Sequence, residues 1–393
     1  MIPCAAGQYS VIGTDAPMTN EATHHFDTVV IGGGQAGLAI GYYLAQHNHD
    51  FVILDAGDRV GDVWRNRWDS LRLFTPARYS SLPRLSFPAP DSYYPTKDEM
   101  ADYLEVYAEE FDLLVCLKTK VDTLTRVQSG NRYVLAADSQ RFTANNVVVA
   151  TGPLQHPNVP EFADELSPSI TQLHSSAYQN PDQLPDDVLV VGAGNSGAEI
   201  SVELAATNRE VWLSGRDVGR IPTGLDNRFV WWVFSTILTT DSWLGHKFEE
   251  RSEGGGTPLI RLSSTDIRQA NIERVPRTDG TVDGKPRLTN ERVLDVGAVL
   301  WATGFRPDYG WIELPGLTFD EDGYPVNDRG VIDEEPGLYF LGLPFQYSLT
   351  SGLIGGIGAD ARYIAEYLTE AGDGDVLVEA PTNRPTDSAA DGD

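Results

Sequence analysis

The sequence predicts an α/β fold: two parallel-sheet units of the same design, with a small antiparallel β-meander between them. Three observations predict it. A short β-branched run, a glycine-rich break, an apolar helical stretch and a second apolar run occur twice, over 27–55 and over 188–213. Gly32 and Gly192 stand 160 residues apart, as do Gly37 and Gly197, a spacing too long for a solenoid repeat and suited to two domains. The chain has 393 residues, which at ~150 residues per domain gives two to three domains.

Each element follows in order. Residues 27–31, Asp-Thr-Val-Val-Ile, read as a buried parallel strand. Gly32 to Gly37 break it, 38–47 read as a packed helix, and 51–54 form a second strand ending on Asp55. Segments 121–127, 132–138 and 141–150 alternate as an antiparallel meander. The last of them runs into Ala150-Thr151-Gly152, a phrase that returns as Ala302-Thr303-Gly304. The second unit has strand 188–191, the turn Gly192 to Gly197, helix 198–206 and strand 210–213. A final strand at 338–342 precedes the turn Gly355-Gly356-Ile357-Gly358 and a helix at 359–369. Residues 1–25 read as a flexible leader, and 376–393 as a disordered acidic tail.

Composition narrows the function. Asp and Glu total 57 against 29 Lys and Arg, a formal charge of −28. Such a surface repels phosphate backbones and anionic lipid, which argues against nucleic-acid and membrane-surface binding. Only five of the basic residues are lysines. High acid with scarce lysine points to a halophilic, salt-rich cytosol, with an ordinary acidic protein as the alternative. No signal peptide is readable and the apolar stretch 229–238 is half a membrane span, so the expectation is a cytoplasmic protein. Cys4 and Cys116 are the only cysteines, which excludes a disulfide scaffold, a Cys-rich zinc site and a redox C-x-x-C. No metal-ligand spacing and no Ser/His/Asp set is present, and no catalytic acid or base can be named.

The chemistry resides in the two glycine turns. Gly32-x-Gly34-x-x-Gly37 and Gly192-x-Gly194-x-x-Gly197 each follow a strand and open a helix. This context lets backbone N–H groups reach a pyrophosphate at the helix N-terminus. Gln35 and Ala36 belong to the first cradle, Asn195 and Ser196 to the second. Both units therefore read as Rossmann-like FAD/NAD(P)-binding domains. Asp55, 21 residues past Gly34, is placed to accept from a ribose 2′-OH, which suits FAD or NAD. The same offset in the second unit falls on Gly215, between Ser214 and Arg216. Without an acid and with an arginine, that site suits the 2′-phosphate of NADPH. The alternative for Arg216 is a solvated surface charge.

With these residues in view, the sequence resembles the flavin-containing, class B-like monooxygenases among the flavoproteins with two dinucleotide-binding domains. The resemblance covers about 26–372. It rests on both fingerprints, on Gly61-Asp62-Val63-Trp64-Arg65 with Asp69-Ser70-Leu71-Arg72-Leu73, and on both Ala-Thr-Gly turns. It implies FAD in a domain of 26–156 plus 302–375 and NADPH in a domain of 157–301. It further implies that Trp64 and Thr75 line the flavin, that the Val121 backbone holds the adenine, and that Thr151, Gly152, Thr303 and Gly304 mark the crossings between domains. Trp64 as ordinary core is the competing reading. The helix beginning near Gly358 would point its N-terminus at the flavin.

Two departures stand out. The family's F-x-G-x-x-x-H-x-x-x-aromatic signature falls on Pro168, Ile170, His174 and Tyr178, where only His174 and Tyr178 match. His174 is then either an organiser of the NADPH domain or a linker histidine. The family's asparagine beside the flavin has no counterpart in Leu73-Phe74-Thr75-Pro76. The implied activity is NADPH-dependent oxidation of a small lipophilic or heteroatom substrate by FAD and O2. The alternatives are a flavin reductase or oxidase without oxygenation, and a non-catalytic nucleotide-sensing flavoprotein. The apolar run 229–234 reads as core, with a channel wall or a homo-oligomer contact as alternatives.

Overall fold

The computed structural model describes residues 22–127, 132–138, 140–220, 227–245 and 258–372. The chain opens with β1 (Ala22–Ile31), α1 (Gln35–Gln46) and β2 (Phe51–Leu54), followed by α2 (Asp62–Arg65) and α3 (Lys97–Glu110). Next come β3 (Val115–Cys116), β4 (Thr123–Arg126), β5 (Tyr133–Ala137) and β6 (Gln140–Val149). The short strand β7 (His156–Pro157) leads to β8 (Thr171–His174), β9 (Asp187–Val191), α4 (Asn195–Ala206) and β10 (Glu210–Ser214). Helices α5 (Arg228–Trp232) and α6 (Ser264–Gln269) precede β11 (Glu273–Val275) and the hairpin β12 (Thr278–Val282) with β13 (Lys285–Leu288). The chain then forms β14 (Ala298–Trp301), β15 (Phe305–Arg306), β16 (Leu338–Phe340) and α7 (Ile357–Gly372).

The first sheet has the order β3-β2-β1-β6-β5-β4. β6 is its pivot. Along its whole length it pairs in parallel with β1, while its other edge takes antiparallel β5 over 140–144 and parallel β16 over 147–149. The expected meander is therefore fused to a parallel sheet. The second sheet, β11-β10-β9-β14-β8, is parallel throughout. Its central strands are buried on both faces: Val188, Leu189, Val190, Val299 and Leu300 are fully buried, as parallel strands covered by helices must be. The two sheets are joined where β7 pairs with β15, Pro157 opposite Phe305 and His156 opposite Arg306.

Two expectations need correction, and one helix is new. Strand β1 begins at Ala22 and pairs Ala22 to His25 with Gln140 to Thr143 of β6, so the leader expected over 1–25 ends sooner; residues 1–21 lie outside the described residues, as does the tail at 376–393. The run 229–234 is not core: Phe229 is 67% and Trp232 50% exposed. Helix α3 was passed over, although Thr96 and Glu99 form a capping box and Met100, Tyr103, Leu104 and Tyr107 share its buried face. That face is marked by tyrosines whose hydroxyls need partners. Tyr103 donates to the Leu85 carbonyl (2.7 Å) and accepts from the Leu82 N–H (2.7 Å), and Tyr107 donates to the Pro83 carbonyl (3.0 Å), so α3 pins segment 82–85.

Among the described residues no helix is long and apolar enough to cross a membrane. None of their His, Cys, Asp and Glu side chains group in threes to hold a metal ion.

Candidate functional site: two glycine loops and the junction between them

The glycines of each turn have separate tasks. Gly32 has φ +108°, and a Cβ there would stand 2.5 Å from the Ala150 carbonyl oxygen. A Cβ on Gly37 would collide with the Gly32 carbonyl. In the second turn Gly192, φ +111°, is closed in by the Ala302 carbonyl and Gly197 by the Gly192 carbonyl. These four glycines let the chain pack on itself. Gly34 and Gly194 differ: their φ values, −77° and −74°, suit any residue, and a Cβ would meet nothing within 4 Å. Each is the N-cap of a 12-residue helix and has no side chain to cap it. The first-turn N–H groups of Gln35 and Ala36, and of Asn195 and Ser196, lie next to these uncapped glycines at the positive end of a helix dipole.

Around the first loop, the Asp55 carboxylate accepts from the N–H of Gly33 (2.6 Å) and of Gly57 (2.7 Å). The Asp55 carbonyl accepts from Thr119 N–H (2.8 Å), which brings segment 119–121 alongside. Val121 is buried, and its backbone N–H and carbonyl make no hydrogen bond among the described residues. Trp64 packs on the core from α2, but its buried indole N–H has no partner. A buried donor without an acceptor is costly in a finished core. Thr75 is buried; its hydroxyl pairs with the Ser80 hydroxyl (2.9 Å) and its carbonyl accepts from that same hydroxyl (3.1 Å), so Ser80 engages both.

At the second loop the Asn195 side chain is occupied: its amide donates to the Pro258 carbonyl (3.2 Å) and its oxygen accepts from Ile260 N–H (3.0 Å). Ser214 departs from expectation. Its buried hydroxyl donates to the Pro276 carbonyl (2.9 Å), accepts from Thr278 N–H (2.9 Å) and contacts the Thr278 hydroxyl (2.9 Å). It fastens β10 to the 276–278 loop and has no capacity left for a phosphate. Arg216 is exposed just beyond the end of β10. Two arginines that spacing did not reveal, Arg268 and Arg274, line a cavity of about 370 Å³ with Ala193, Asp217 and Leu259. The Arg274 guanidinium donates to the Gly215 and Arg216 carbonyls (3.1 and 3.2 Å) and so shapes that turn. Spacing does not reveal them because they follow the end of β10 by more than 50 residues.

The two Ala-Thr-Gly turns meet at one place. Gln155 donates to the Thr151 hydroxyl (3.0 Å) and the Gly152 carbonyl (2.8 Å), and accepts from Asp308 N–H (2.6 Å). Across from it, Asn158 donates to the Gly304 carbonyl through its N–H (2.9 Å) and to the Thr303 carbonyl through its amide (3.2 Å). The Thr303 hydroxyl donates to the Asn158 carbonyl. His174 is buried at the end of β8 and belongs to this knot. Ser176 N–H donates to its Nδ1 (3.1 Å), which leaves Nε2 to donate to the Gly304 carbonyl (3.0 Å). Burial lowers its pKa, helped by the nearby Arg67 charge, so the ring is neutral. The linker reading of His174 gives way to a structural tie. Gly152 and Gly304, at φ +71° and +84°, have open space where a Cβ would be.

One titratable group escaped the sequence reading altogether. Glu199, in the second turn of α4, is pushed up to about 7 by burial, opposed by Arg261 at 3.7 Å. Arg261 in turn donates to the Arg72 carbonyl (3.0 Å), which links the helix of one sheet to a segment of the other.

Comparison with known proteins places these features. The family model for pyridine nucleotide-disulphide oxidoreductases matches residues 29–342. An uncharacterized CzcO-like oxidoreductase of Geobacillus kaustophilus is 44% identical over 348 residues, covering 87% of this chain and 97% of that protein. A probable indole-3-pyruvate monooxygenase of Arabidopsis thaliana, YUCCA8, is 29% identical, covering 86% of this chain and 87% of that one. The solved flavin-containing monooxygenase of Stenotrophomonas maltophilia superposes with a TM-score of 0.71 at 28% identity, over 88% of this chain and 99% of that one. The chain belongs to the pyridine nucleotide-disulphide oxidoreductase family, and within it is a flavin-monooxygenase-like oxidoreductase.

Proposed function

We propose that the chain holds FAD on the first glycine loop and NADPH on the second, and that it is an NADPH-dependent flavin monooxygenase acting on a small lipophilic or heteroatom substrate. The observation that carries this is the pair Gly34 and Gly194: two helix N-caps whose missing side chains serve no packing need of the chain itself. The residues present fit the two groups. Asp55 is oriented by two backbone N–H groups and keeps lone pairs for ribose hydroxyls; Val121 offers an unused main chain to an adenine; the Trp64 indole N–H awaits an acceptor. When bound, the flavin supplies the redox chemistry, taking a hydride from the nicotinamide and reacting with O2.

The division of labour follows the two sheets, with 26–156 plus 302–375 as the FAD-binding unit and 157–301 as the NADPH-binding unit. Each helix directs its first-turn N–H groups at one pyrophosphate, and the knot of Gln155, Asn158 and His174 fixes the spacing between the two loops. Disulfide reduction is disfavoured because the chain has two cysteines, Cys4 and Cys116, and so no C-x-x-C redox pair. A second reading, an NADPH oxidase, draws on Thr75: that hydroxyl is held by Ser80, and no asparagine stands in 73–76. The experiment is NADPH consumption with peroxide and product measured together. Product in step with NADPH supports the monooxygenase, stoichiometric peroxide supports the oxidase, and no NADPH consumption removes both.

A further inference from the structure

Arg67 stands apart from every other cation at the junction. It lies in the segment after α2, between Asn66 and Asp69, and both neighbours are bonded to the segment after β8. The Asn66 carbonyl accepts from the Gln179 amide (3.2 Å), Asp69 N–H donates to the Gln179 carbonyl (2.8 Å), and the Asp69 carboxylate accepts from the Asn180 amide (2.9 Å). Arg67 is thereby held where the two folds meet. Its guanidinium lies 5.7 Å from the centre of the Phe305 ring, and His174 packs edge-on against the same ring at 5.1 Å. Phe305 directly follows Gly304, beside which a Cβ would find open space.

The chain is rich in acid, with 57 Asp and Glu, yet Arg67 pairs with none of them. Among the described residues no carboxylate ion-pairs with Arg67 and no acceptor takes its N–H groups; burial is the sole influence on its proton affinity, and it lowers it. The adjacent His174 is neutral and its Nε2 proton is taken by Gly304. Arginine stays charged whatever its surroundings. Arg67 is half-buried, and its one contact with a side chain among the described residues is the cation–π contact with Phe305, so its N–H donors remain available to a partner from outside the chain.

We propose that Arg67 is an anion-binding residue at the junction of the two nucleotide-binding folds, receiving an oxyanion of a ligand that enters beside Gly304 and Phe305. The oxyanion is either a phosphate of the pyridine nucleotide or the carboxylate of an acidic substrate. This rests on the reading of the chain as a two-nucleotide oxidoreductase. The planar guanidinium suits either group through paired N–H donors.

The test uses the full-length chain as purified, with its flavin content read from the visible spectrum. Thermal melting is followed with inorganic pyrophosphate and, separately, with benzoate, for wild type, Arg67→Met and Arg67→Lys. Without anion, Arg67→Met should melt close to the wild-type temperature, because Arg67 has no ion pair to lose; a residue serving only the fold would lose stability. Wild type should gain stability from at least one anion. Arg67→Met should need at least tenfold more anion for the same gain, and Arg67→Lys should fall between. A pyrophosphate response that Arg67→Met loses identifies a nucleotide phosphate as the ligand group, a benzoate response that it loses identifies a substrate carboxylate, and any response retained by the variant belongs to the glycine loops. Equal anion response in wild type and Arg67→Met, no response in wild type, or a much lower melting point for Arg67→Met would each overturn the proposal. A colourless protein would count against the flavin assignment and leave the anion response readable.

Discussion

The indole of Trp231 lies flat on the phenol ring of Tyr79, with centroids 4.3 Å apart and planes within 5°. The contact joins α5, carried by the chain of the second sheet, to the segment after α2 that packs on the first. Nearby, Thr240 N–H donates to the Tyr347 carbonyl (2.8 Å) and Leu349 N–H to the Leu238 carbonyl (3.1 Å), so 238–240 clasps 347–349. A Cβ on Gly355 would stand 2.5 Å from the Tyr79 carbonyl oxygen and 3.1 Å from Trp231, which places the approach to α7 under the same stack. Trp231→Ala removes an aromatic pair worth ~0.5–1.5 kcal/mol beyond its buried area. The melting temperature should fall by several degrees, and bound flavin should become more open to iodide quenching. Unchanged quenching would mean that α5 does not cover the flavin site.

The glycine loops make opposite predictions for neighbouring positions. Gly34→Ala should leave the melting temperature of the flavin-free protein within a few degrees, since its φ is ordinary and a Cβ meets nothing. It should lose bound flavin, because the methyl group occupies the space of the approaching pyrophosphate. Gly37→Ala should misfold, because its Cβ collides with the Gly32 carbonyl. Circular dichroism and the visible spectrum separate the two effects. A yellow Gly34→Ala protein would move the flavin elsewhere.

The glycine turns and flanking strands were legible because they are local: three glycines at fixed spacing, a β-branched run before and an apolar helix after. Asp55 was legible for the same reason, since one strand length fixes its offset. Ser214 was misread because its position in sequence says nothing about which way a side chain at the end of a strand turns. Its partners, Pro276 and Thr278, are more than 60 residues away. Arg67, Arg274 and Glu199 were invisible because their meaning lies in burial and in partners across the fold. The exposed Phe229 and Trp232 were read as core because apolarity was the only evidence available.

Glu199 links stability to pH. Its folded pKa, about 7, stands above the ordinary carboxylate value of 4.5. A group raised on folding binds its proton more tightly in the native state, so its stabilising contribution is fully present below the unfolded value. That contribution fades as pH rises from about 4.5 and is lost once pH passes about 7. Glu199→Gln removes the titration. The variant should melt close to wild type at acidic pH and above it at pH ~8. A difference that does not change with pH would place the Glu199 carboxyl in contact with water.

Coenzyme choice is the last expectation, and the structure alters how it should be tested. Arg216, beyond the end of β10 with no acid at Gly215, is our candidate for pairing with a 2′-phosphate. Arg268 and Arg274 add positive charge to the adjoining cavity, and Asp217 opposes them. A charge-assisted pair with phosphate is worth ~1.5–3 kcal/mol, roughly ten- to a hundredfold in affinity. Arg216→Ala should therefore raise the Michaelis constant for NADPH by that factor and leave NADH nearly unchanged. Ser214→Ala is the informative control. It should lower the melting temperature, because it strips the Thr278 N–H and the Pro276 carbonyl of a partner, yet leave the NADPH-to-NADH ratio where it was. Arg268→Ala should fall between them, reducing NADPH preference without the stability cost. Steady-state flavin reduction with both coenzymes decides the matter: equal use of NADH and NADPH by the wild type would return Arg216 to the status of a surface charge.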